Sequence, residues 1–256
     1  MKNASRLRGI FLWEAEQLIH FVEDPLQAAE LRRLCQGSAF GCKLAAVEAA
    51  YGFHRDFARF WTDGFAAYGQ LDGALTLAGT PQDPEEAAAF IRMLGAEALL
   101  GPQAVLESLG LSPSLTGPVL VKRLAPGAAR PQPDIRLPTA YRLLAGAGLA
   151  GPWEAFYLDL SHRLRHGAAR ALVIEAGGRP AGCAVAGAVT EQEAVLSALG
   201  VEPEFRRNGL GTALVQGIAS MLPGRTLYAL RKDGANEGFY AQLGFREAGR
   251  WGQVEM

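Results

Sequence analysis

Cysteine is scarce in this sequence. Its 256 residues include three cysteines, Cys35, Cys42 and Cys183, an odd set without short paired spacings. Such a set argues against both a disulfide framework and a structural zinc site. His162 and His166 have the i, i+4 spacing of metal ligands, but no third ligand is evident nearby. We therefore expect reduced, buried thiols and no metal.

Long apolar runs are also missing. No stretch of the sequence approaches the roughly 20 apolar residues that a membrane-spanning helix needs. The first residues resemble a signal peptide, but their apolar run from Gly9 stops at Glu14, which is too short for a signal core. These absences predict a cytoplasmic protein with no membrane partner.

Neither sign of charge dominates. The chain has 25 basic and 26 acidic residues, with a formal net charge of -1. General nucleic-acid binding depends on a basic face, so we expect no nucleic-acid partner. Hydrophobic residues make up 49 % of the chain, which suffices for a packed core in one large domain or two small ones.

Proline is concentrated near the middle of the chain, where APGAARPQPDIRLPT contains four of the 14 prolines. This density predicts a semi-rigid linker between a domain at 1–128 and a domain at 134–256. After the linker, helical patterns precede a three-strand meander, ARALVIEA, AGCAVAGAV and AVLSALGV. A helix, the strand TLYAL, the short helix ANEGFYAQLGF and a final edge strand, EAGRWGQVEM, are predicted to follow.

The first domain repeats this order of elements without visible sequence identity. Helical patterns cover 12–34 and 39–51, a meander folds around Asp63-Gly64, and a helix begins at Pro84. The expected fold class is therefore α/β, an α+β arrangement with a mixed sheet, in two tandem domains.

A cationic, glycine-rich corner, RRNGLG, directly precedes the helical pattern of the second domain. A helix N-terminus leaves backbone N–H groups unpaired and carries the positive end of the helix dipole, so it suits an anion. Glycine removes the side chains that would keep a phosphate away from these amides. The loop lacks the Gly-Lys-Ser/Thr ending of a P-loop and follows a meander rather than a Rossmann strand.

The second domain resembles the GNAT superfamily of N-acetyltransferases. Its RRNGLG matches the family signature Q/R-x-x-G-x-G/A at Arg206, Gly209 and Gly211. LGVEPEFR is similar to the segment that leads into that signature, and FYAQLGF is similar to the later motif with a tyrosine four residues before Gly-Phe. The resemblance covers about 134–256 and implies acetyl-CoA, or another acyl-CoA, as co-substrate.

The resemblance also implies roles for individual residues. Backbone amides of the loop would bind the pyrophosphate, β-strand backbone would pair with the pantetheine arm on one side, and a short helix would flank the arm on the other. The implied loop residues are Arg206, Arg207, Asn208, Gly209, Leu210, Gly211 and Thr212, the strand residues are Leu199 and Val201, and the helix residues are Asn236 and Phe239.

The implied reaction is acyl transfer to an amine, which needs an acid for the leaving thiolate and a base for the amine. The resemblance implies that Tyr240 lies near the thioester sulfur. Because a phenol can protonate a thiolate of pKa near ~8.5, Tyr240 is the candidate acid. Glu193, at the start of the third strand of the second domain's meander, AVLSALGV, is a candidate base. Trp153, Tyr157 and His162 are candidates for contact with the acceptor.

The first domain departs from the family because TPQDPEE stands where the phosphate signature belongs. Asp83, Glu85 and Glu86 would repel a pyrophosphate, so we expect a GNAT-like domain without a cofactor site.

Two functions of the protein remain open. One is an N-acyltransferase acting on an amine of a small molecule, an amino-acid derivative or a peptide. The other is a non-catalytic module that binds acyl-CoA.

Overall fold

Eleven strands form one mixed sheet in the computed structural model, which describes residues 19–256. The strands are β1 (His20–Phe21), β2 (Ala58–Thr62), β3 (Ala66–Leu71), β4 (Ala74–Gly79), β5 (Ala98–Pro102), β6 (Leu115–Arg123), β7 (Arg170–Ala176), β8 (Arg179–Val189), β9 (Glu193–Val201), β10 (Thr226–Leu230) and β11 (Arg246–Glu255). The helices are α1 (Pro25–Leu34), α2 (Ala39–Tyr51), α3 (Pro84–Met93), α4 (Gln103–Ser108), α5 (Leu137–Gly146), α6 (Trp153–Arg165), α7 (Leu210–Ser220) and α8 (Glu237–Gln242).

The same strand pattern occurs twice along the sheet. Strands β2, β3 and β4 form an antiparallel meander whose last strand pairs in parallel with β5. Strands β7, β8 and β9 repeat this meander, and β9 pairs in parallel with β10. The predicted mixed sheet with a repeated order of elements is therefore confirmed.

The two halves of the chain share their last strands. The sheet order is β1-β2-β3-β4-β5-β11-β6-β10-β9-β8-β7, so β6 lies beside β10 and β11 lies beside β5. The predicted edge position of the C-terminal strand is therefore wrong. Residues 246–250 are exposed as in an edge strand, but a register shift between Glu247 and Arg250 lets the buried Trp251 and Val254 pack into the centre of the sheet.

The predicted helix over 12–34 needs correction. Residues 12–18 lie outside the described part of the chain, and β1 occupies His20–Phe21. The helix begins only at Pro25 because the Asp24 side chain accepts hydrogen bonds from the amides of Leu26 and Gln27. Proline at the first helical position and aspartate before it are a strong helix start. The next helix, α2, has the predicted bounds.

Helix α2 connects the two halves. It packs on β3 and β4 of the first half and on β8 and β9 of the second half. The Cys42 thiol contacts the Ala188 carbonyl, with 3.9 Å between sulfur and oxygen. All three cysteines are free and buried, and burial raises the pKa of Cys35 and of Cys183 to about 12. These thiols therefore stay protonated and belong to the core.

Gly117 permits a close approach between β6 and the end of β10. A Cβ atom at Gly117 would lie 1.8 Å from the carbonyl oxygen of Arg231 and 2.9 Å from Nε1 of Trp251. Gly117→Ala is therefore expected to lower the free energy of unfolding by about 3 kcal/mol, since backbone must move. Gly127→Ala is the matched control because nothing lies within 4 Å of its added methyl group. Urea unfolding measures both, and equal midpoints for the two variants would refute the steric argument.

Candidate cofactor and acyl-transfer site

Strands β9 and β10 separate toward their carboxyl ends. Their parallel pairing stops at Leu196 and Ala229, whereas β9 continues to Val201. Leu196 pairs with Ala186 and Ala198 pairs with Val185, which leaves Ser197 as an extra, bulged residue of β9. A bulge bends and twists its strand, so this one accounts for the opening between β9 and β10.

Helix α7 starts at the wide end of this opening. Its N-cap, Gly209, has a φ of +76° and no side chain to cap the helix. The Ala213 amide donates to the Gly209 carbonyl at 3.0 Å, so the amides of Leu210, Gly211 and Thr212 precede the first helical hydrogen bond. Three uncapped N–H groups and the positive end of the dipole therefore face the loop.

The loop before α7 is fixed to β9 by one arginine. Nε of Arg206 donates to the Val201 carbonyl at 3.0 Å, so this guanidinium helps to hold the loop in place. Arg207 has a positive φ of +64°, and the side chains of Arg207 and Asn208 are exposed. A charged side chain and a polar one therefore remain free beside the helix N-terminus.

Helix α8 closes the other side of the opening. A Cβ atom at Gly211 would lie 3.2 Å from the Phe239 ring, so glycine lets α8 approach the start of α7. Asn236, exposed and with a φ of +52°, is the N-cap of α8. Leu199, Val201 and Phe239 pack against one buried cluster. The structure therefore brings the predicted loop, strand and helix residues around one cleft.

Tyr240 lies in this cleft beside Phe239. Its ring centroid is 5.0 Å from that of Phe239 and 5.5 Å from that of Phe245. Burial raises the pKa of Tyr240, and the nearby Arg231 partly opposes this rise. Within residues 19–256 the Tyr240 hydroxyl has no hydrogen-bond partner. Every fully buried side-chain nitrogen or oxygen there does have a partner, so the Tyr240 hydroxyl is not fully buried. The hydroxyl therefore remains accessible as a proton donor.

Glu193 lies at the opposite end of β9 from the cleft. Its Oε1 accepts hydrogen bonds from the Tyr228 hydroxyl at 2.9 Å and from the Gly37 amide at 3.1 Å. Burial raises the pKa of Glu193, while these two hydrogen bonds partly oppose the rise. The bulge at Ser197 is roughly 13 Å away along the strand at ~3.3 Å per residue. The structure does not bring Glu193 and Tyr240 together.

Tyr228 is a site residue that the sequence analysis missed. It lies on β10 and lines a cavity of about 610 Å³, together with Phe40 of α2, Val119 of β6 and Arg250 of β11. Val119 pairs with Leu230, the last residue of β10, so the cavity reaches the strand that borders the cleft. The only sequence signal was a tyrosine inside the apolar strand TLYAL.

The counterpart of α7 in the first half is α3, and its N-terminus is already capped. The Asp83 carboxylate accepts hydrogen bonds from the amides of Glu85 at 2.9 Å and Glu86 at 3.1 Å. The α3 helix thus carries its own anion where α7 presents open amides. This contrast matches the acidic sequence TPQDPEE.

The candidate acceptor residues on α6 fall into two groups. Trp153 and Tyr157 are ring neighbours at 5.2 Å, and Tyr157 is 43 % exposed. His162 instead joins α6 to α2, because its Nε2 lies 2.8 Å from the Ala50 carbonyl and its ring stacks on Tyr51 at 4.5 Å. Among residues 19–256 no group of three or more His, Cys, Asp or Glu side chains could hold a metal ion.

Residues 167–247 match the family model described as acetyltransferase (GNAT) domain. This range contains the bulge, the RRNGLG loop and Tyr240. The second half carries a GNAT acetyltransferase domain. This match supports an acyltransferase of the GNAT type in the second half of the chain. No curated protein matches the sequence.

Solved structures of GNAT proteins share the fold along most of the chain. A GCN5-related N-acetyltransferase from Kribbella flavida has 17 % identity and a TM-score of 0.58, covering 86 % of this chain and 95 % of its own. A tandem GNAT protein from the clavulanic acid biosynthesis pathway has 14 % identity and a TM-score of 0.56, covering 92 % and 97 %. A GCN5-related N-acetyltransferase from Sphaerobacter thermophilus has 16 % identity and a TM-score of 0.54, covering 91 % and 94 %. These likenesses establish the tandem GNAT-like fold.

Across residues 19–256, every helix is too short or too polar to span a membrane.

Proposed function

We propose that the second half of the chain transfers an acetyl group from acetyl-CoA to a primary amine by direct attack of the amine on the thioester. The observation that carries this proposal is the uncapped N-terminus of α7, with glycines at Gly209 and Gly211, beside the opening between β9 and β10. Phosphate groups suit the first feature and an extended pantetheine arm suits the second.

In the proposed complex, the amides from Arg206 to Thr212 bind the pyrophosphate. Arg207 adds positive charge from its exposed side chain. The arm runs between the β9 backbone at Leu199 and Val201 and the side chains of Asn236 and Phe239. The thioester then lies near Tyr240, and an N–H group of β9 beside the bulge polarises its carbonyl, as an oxyanion donor does.

Tyr240 acts as the acid in this mechanism. The amine nitrogen forms the new C–N bond, the C–S bond breaks, and the tyrosine proton passes to the thiolate of CoA. Tyr240 suits this role because burial keeps its hydroxyl protonated and the hydroxyl has no hydrogen-bond partner in the described part of the chain. The phenolate regains a proton from solvent before the next turnover.

Glu193 acts as the base through Tyr228. An amine in the cavity of about 610 Å³ beside Tyr228 gives a proton to the Tyr228 oxygen, while the Tyr228 hydroxyl proton moves along its 2.9 Å hydrogen bond to Glu193. Because burial raises the pKa of Glu193, this carboxylate is a stronger base than an exposed one. The relay reconciles the distance of Glu193 from the cleft with a role in deprotonation.

Glu193→Gln tests the relay. The raised pKa means that Glu193 ionises above its ordinary range, so the parent should lose activity as the pH falls through that raised value. The variant should lose this acidic limb and have a kcat/KM lower by about 10²-fold. Tyr228→Phe should cause a similar loss, and the double variant should be no worse than either single one. Additive losses, or an unchanged acidic limb, would exclude the relay.

The first half, 1–128, is proposed to hold no cofactor and to form part of the acceptor pocket. Phe40 of α2 and Val105 of α4 line the same cavity as Tyr228, so both halves contribute to it. An amine of a small molecule, an amino-acid derivative or a peptide is the proposed acceptor.

Release of free thiol from acetyl-CoA, measured against a panel of amines, tests the proposed function. Amine-dependent thiol release with formation of the acetylated amine is the expected result. Tight binding of acetyl-CoA without release for any amine would instead identify a non-catalytic acyl-CoA-binding module.

A further inference from the structure

Two basic side chains from different halves of the chain line a small pocket that shares no lining residue with the cleft. The pocket has a volume of about 130 Å³ and lies between α2, the strands β3 and β4, and α6. Lys43 of α2 and Arg163 of α6 line it together with Gln70 and Thr76. Arg163 is 8 % exposed, so its guanidinium belongs to the interior rather than to the surface.

Each of these two cations has a donor nitrogen that finds no partner among residues 19–256. Nε of Arg163 donates to Asp159 at 2.7 Å and Nη1 donates to the Gly187 carbonyl at 3.0 Å, which leaves Nη2 without a hydrogen bond inside the described range. The Lys43 ammonium group makes no hydrogen bond or ion pair within 19–256. Since no fully buried side-chain nitrogen there lacks a partner, both nitrogens retain contact with open space.

The charges around the pocket are unbalanced. The negative charge of Asp159 acts on Lys43, but this carboxylate already accepts hydrogen bonds from Arg163 at 2.7 Å and from the Tyr51 hydroxyl at 2.8 Å. Burial lowers the pKa of Lys43, and repulsion from Arg163 lowers it further. Buried charges are normally paired because desolvation is costly. An anion between the two cations would supply the missing partner.

We propose that this pocket binds a carboxylate group between Nζ of Lys43 and Nη2 of Arg163. A volume of 130 Å³ holds about four groups of water size, at ~30 Å³ each, which suits a carboxylate on a short carbon chain. Leu44, Val47 and Phe60 form an apolar wall for those carbons. A nucleotide or a CoA molecule is far too large.

The pocket lies close to the acyl-transfer cleft. Arg163 binds the carbonyl of Gly187, and a Cβ atom at Gly187 would lie 2.8 Å from Oγ of Ser197, the bulged residue of β9. Two strand spacings of ~4.8 Å therefore separate this part of β8 from β10, about 10 Å. We assign the bound carboxylate to the acceptor, so the proposed acceptor is an amine that also bears a carboxylate. This assignment rests on the proposed function.

Binding is tested with succinate as the probe and succinamide as its uncharged analogue, at constant ionic strength. Succinate should raise the melting temperature of the parent by several degrees, and succinamide should not. Lys43→Met keeps the length of the side chain and removes a half-buried charge that has no partner among residues 19–256, so it should fold and lose the shift. Lys43→Gln should lose it as well. Lys232→Met, at an exposed lysine, is the matched control and should retain the shift.

Equal succinate shifts in the parent and in both Lys43 variants would overturn the site. Inorganic phosphate that acts as strongly as succinate would overturn the choice of carboxylate.

The acceptor is tested separately with pairs of amines that differ only in a carboxylate, such as an amino acid and its amide. Lys43→Met should raise KM about tenfold or more for the carboxylate-bearing amine, with CoA affinity unchanged. Thiol release by the parent that is equal for both members of every pair would refute the acceptor assignment and leave the acyltransferase function intact. If neither the parent nor any variant binds CoA, both the proposed function and the acceptor assignment are refuted. The succinate result still decides whether the pocket binds a carboxylate.

Discussion

Tyr240→Phe is expected to lower kcat by about 10²–10⁴-fold, the usual contribution of a general acid, and to leave CoA affinity almost unchanged. The substitution removes one hydroxyl and keeps the ring between Phe239 and Phe245. Because that hydroxyl has no partner among the described residues, its loss breaks no hydrogen bond in the free protein. A defect in turnover would therefore report chemistry rather than folding.

The pH profile of Tyr240→Phe separates these explanations further. The acid must be protonated to act, so activity should fall as the pH rises through its pKa. Burial raises the pKa of Tyr240, which places this alkaline limb above the ordinary tyrosine value of about 10. The variant should lack that limb. Parental turnover and an unchanged limb, measured where chemistry limits the rate, would make Tyr240 a packing residue.

Gly209→Asp is expected to weaken CoA binding by about 10²–10³-fold. A carboxylate at the N-cap of α7 would accept hydrogen bonds from the helix amides, as Asp83 does at α3. It would also repel the pyrophosphate. Nothing lies within 4 Å of a Cβ atom at Gly209, so the side chain fits. The φ of +76° is one that aspartate and asparagine tolerate better than most residues.

Gly209→Asn is the matched control for that substitution. It has nearly the same size and backbone cost but no charge, so it should retain more of the affinity than Gly209→Asp. Isothermal titration with CoA measures both variants. Equal affinities for the parent and Gly209→Asp would show that the RRNGLG loop does not bind the pyrophosphate.

Sequence patterns predicted the features that depend on neighbouring residues. The loop and the start of α7 follow from glycine positions and helical periodicity within the last third of the chain, whereas the position of Phe239 beside the cleft was implied by the family resemblance. In the structure Leu199 and Phe239 pack against one cluster, and Phe239 lies against Gly211. The bounds of α2 were predictable for the same reason, since Ser38 caps the helix and accepts a hydrogen bond from the Gly41 amide.

Features that depend on distant parts of the chain could not be predicted. The position of β11 between β5 and β6 results from strand exchange between halves, which leaves no local pattern in EAGRWGQVEM. Tyr228 and Glu193 lie in two different strands, and only the fold brings their side chains within hydrogen-bonding distance. The approach of Lys43 to Arg163 likewise exists only because α2 packs across both halves.

Calorimetric titration of acetyl-CoA into the full chain tests the central claim most directly. The account expects one binding site per chain, because α7 presents open amides whereas Asp83 already caps α3. Binding should release heat that saturates at one equivalent in the parent and is strongly reduced in Gly209→Asp. No saturable binding at millimolar acetyl-CoA, or two equivalent sites per chain, would contradict the account.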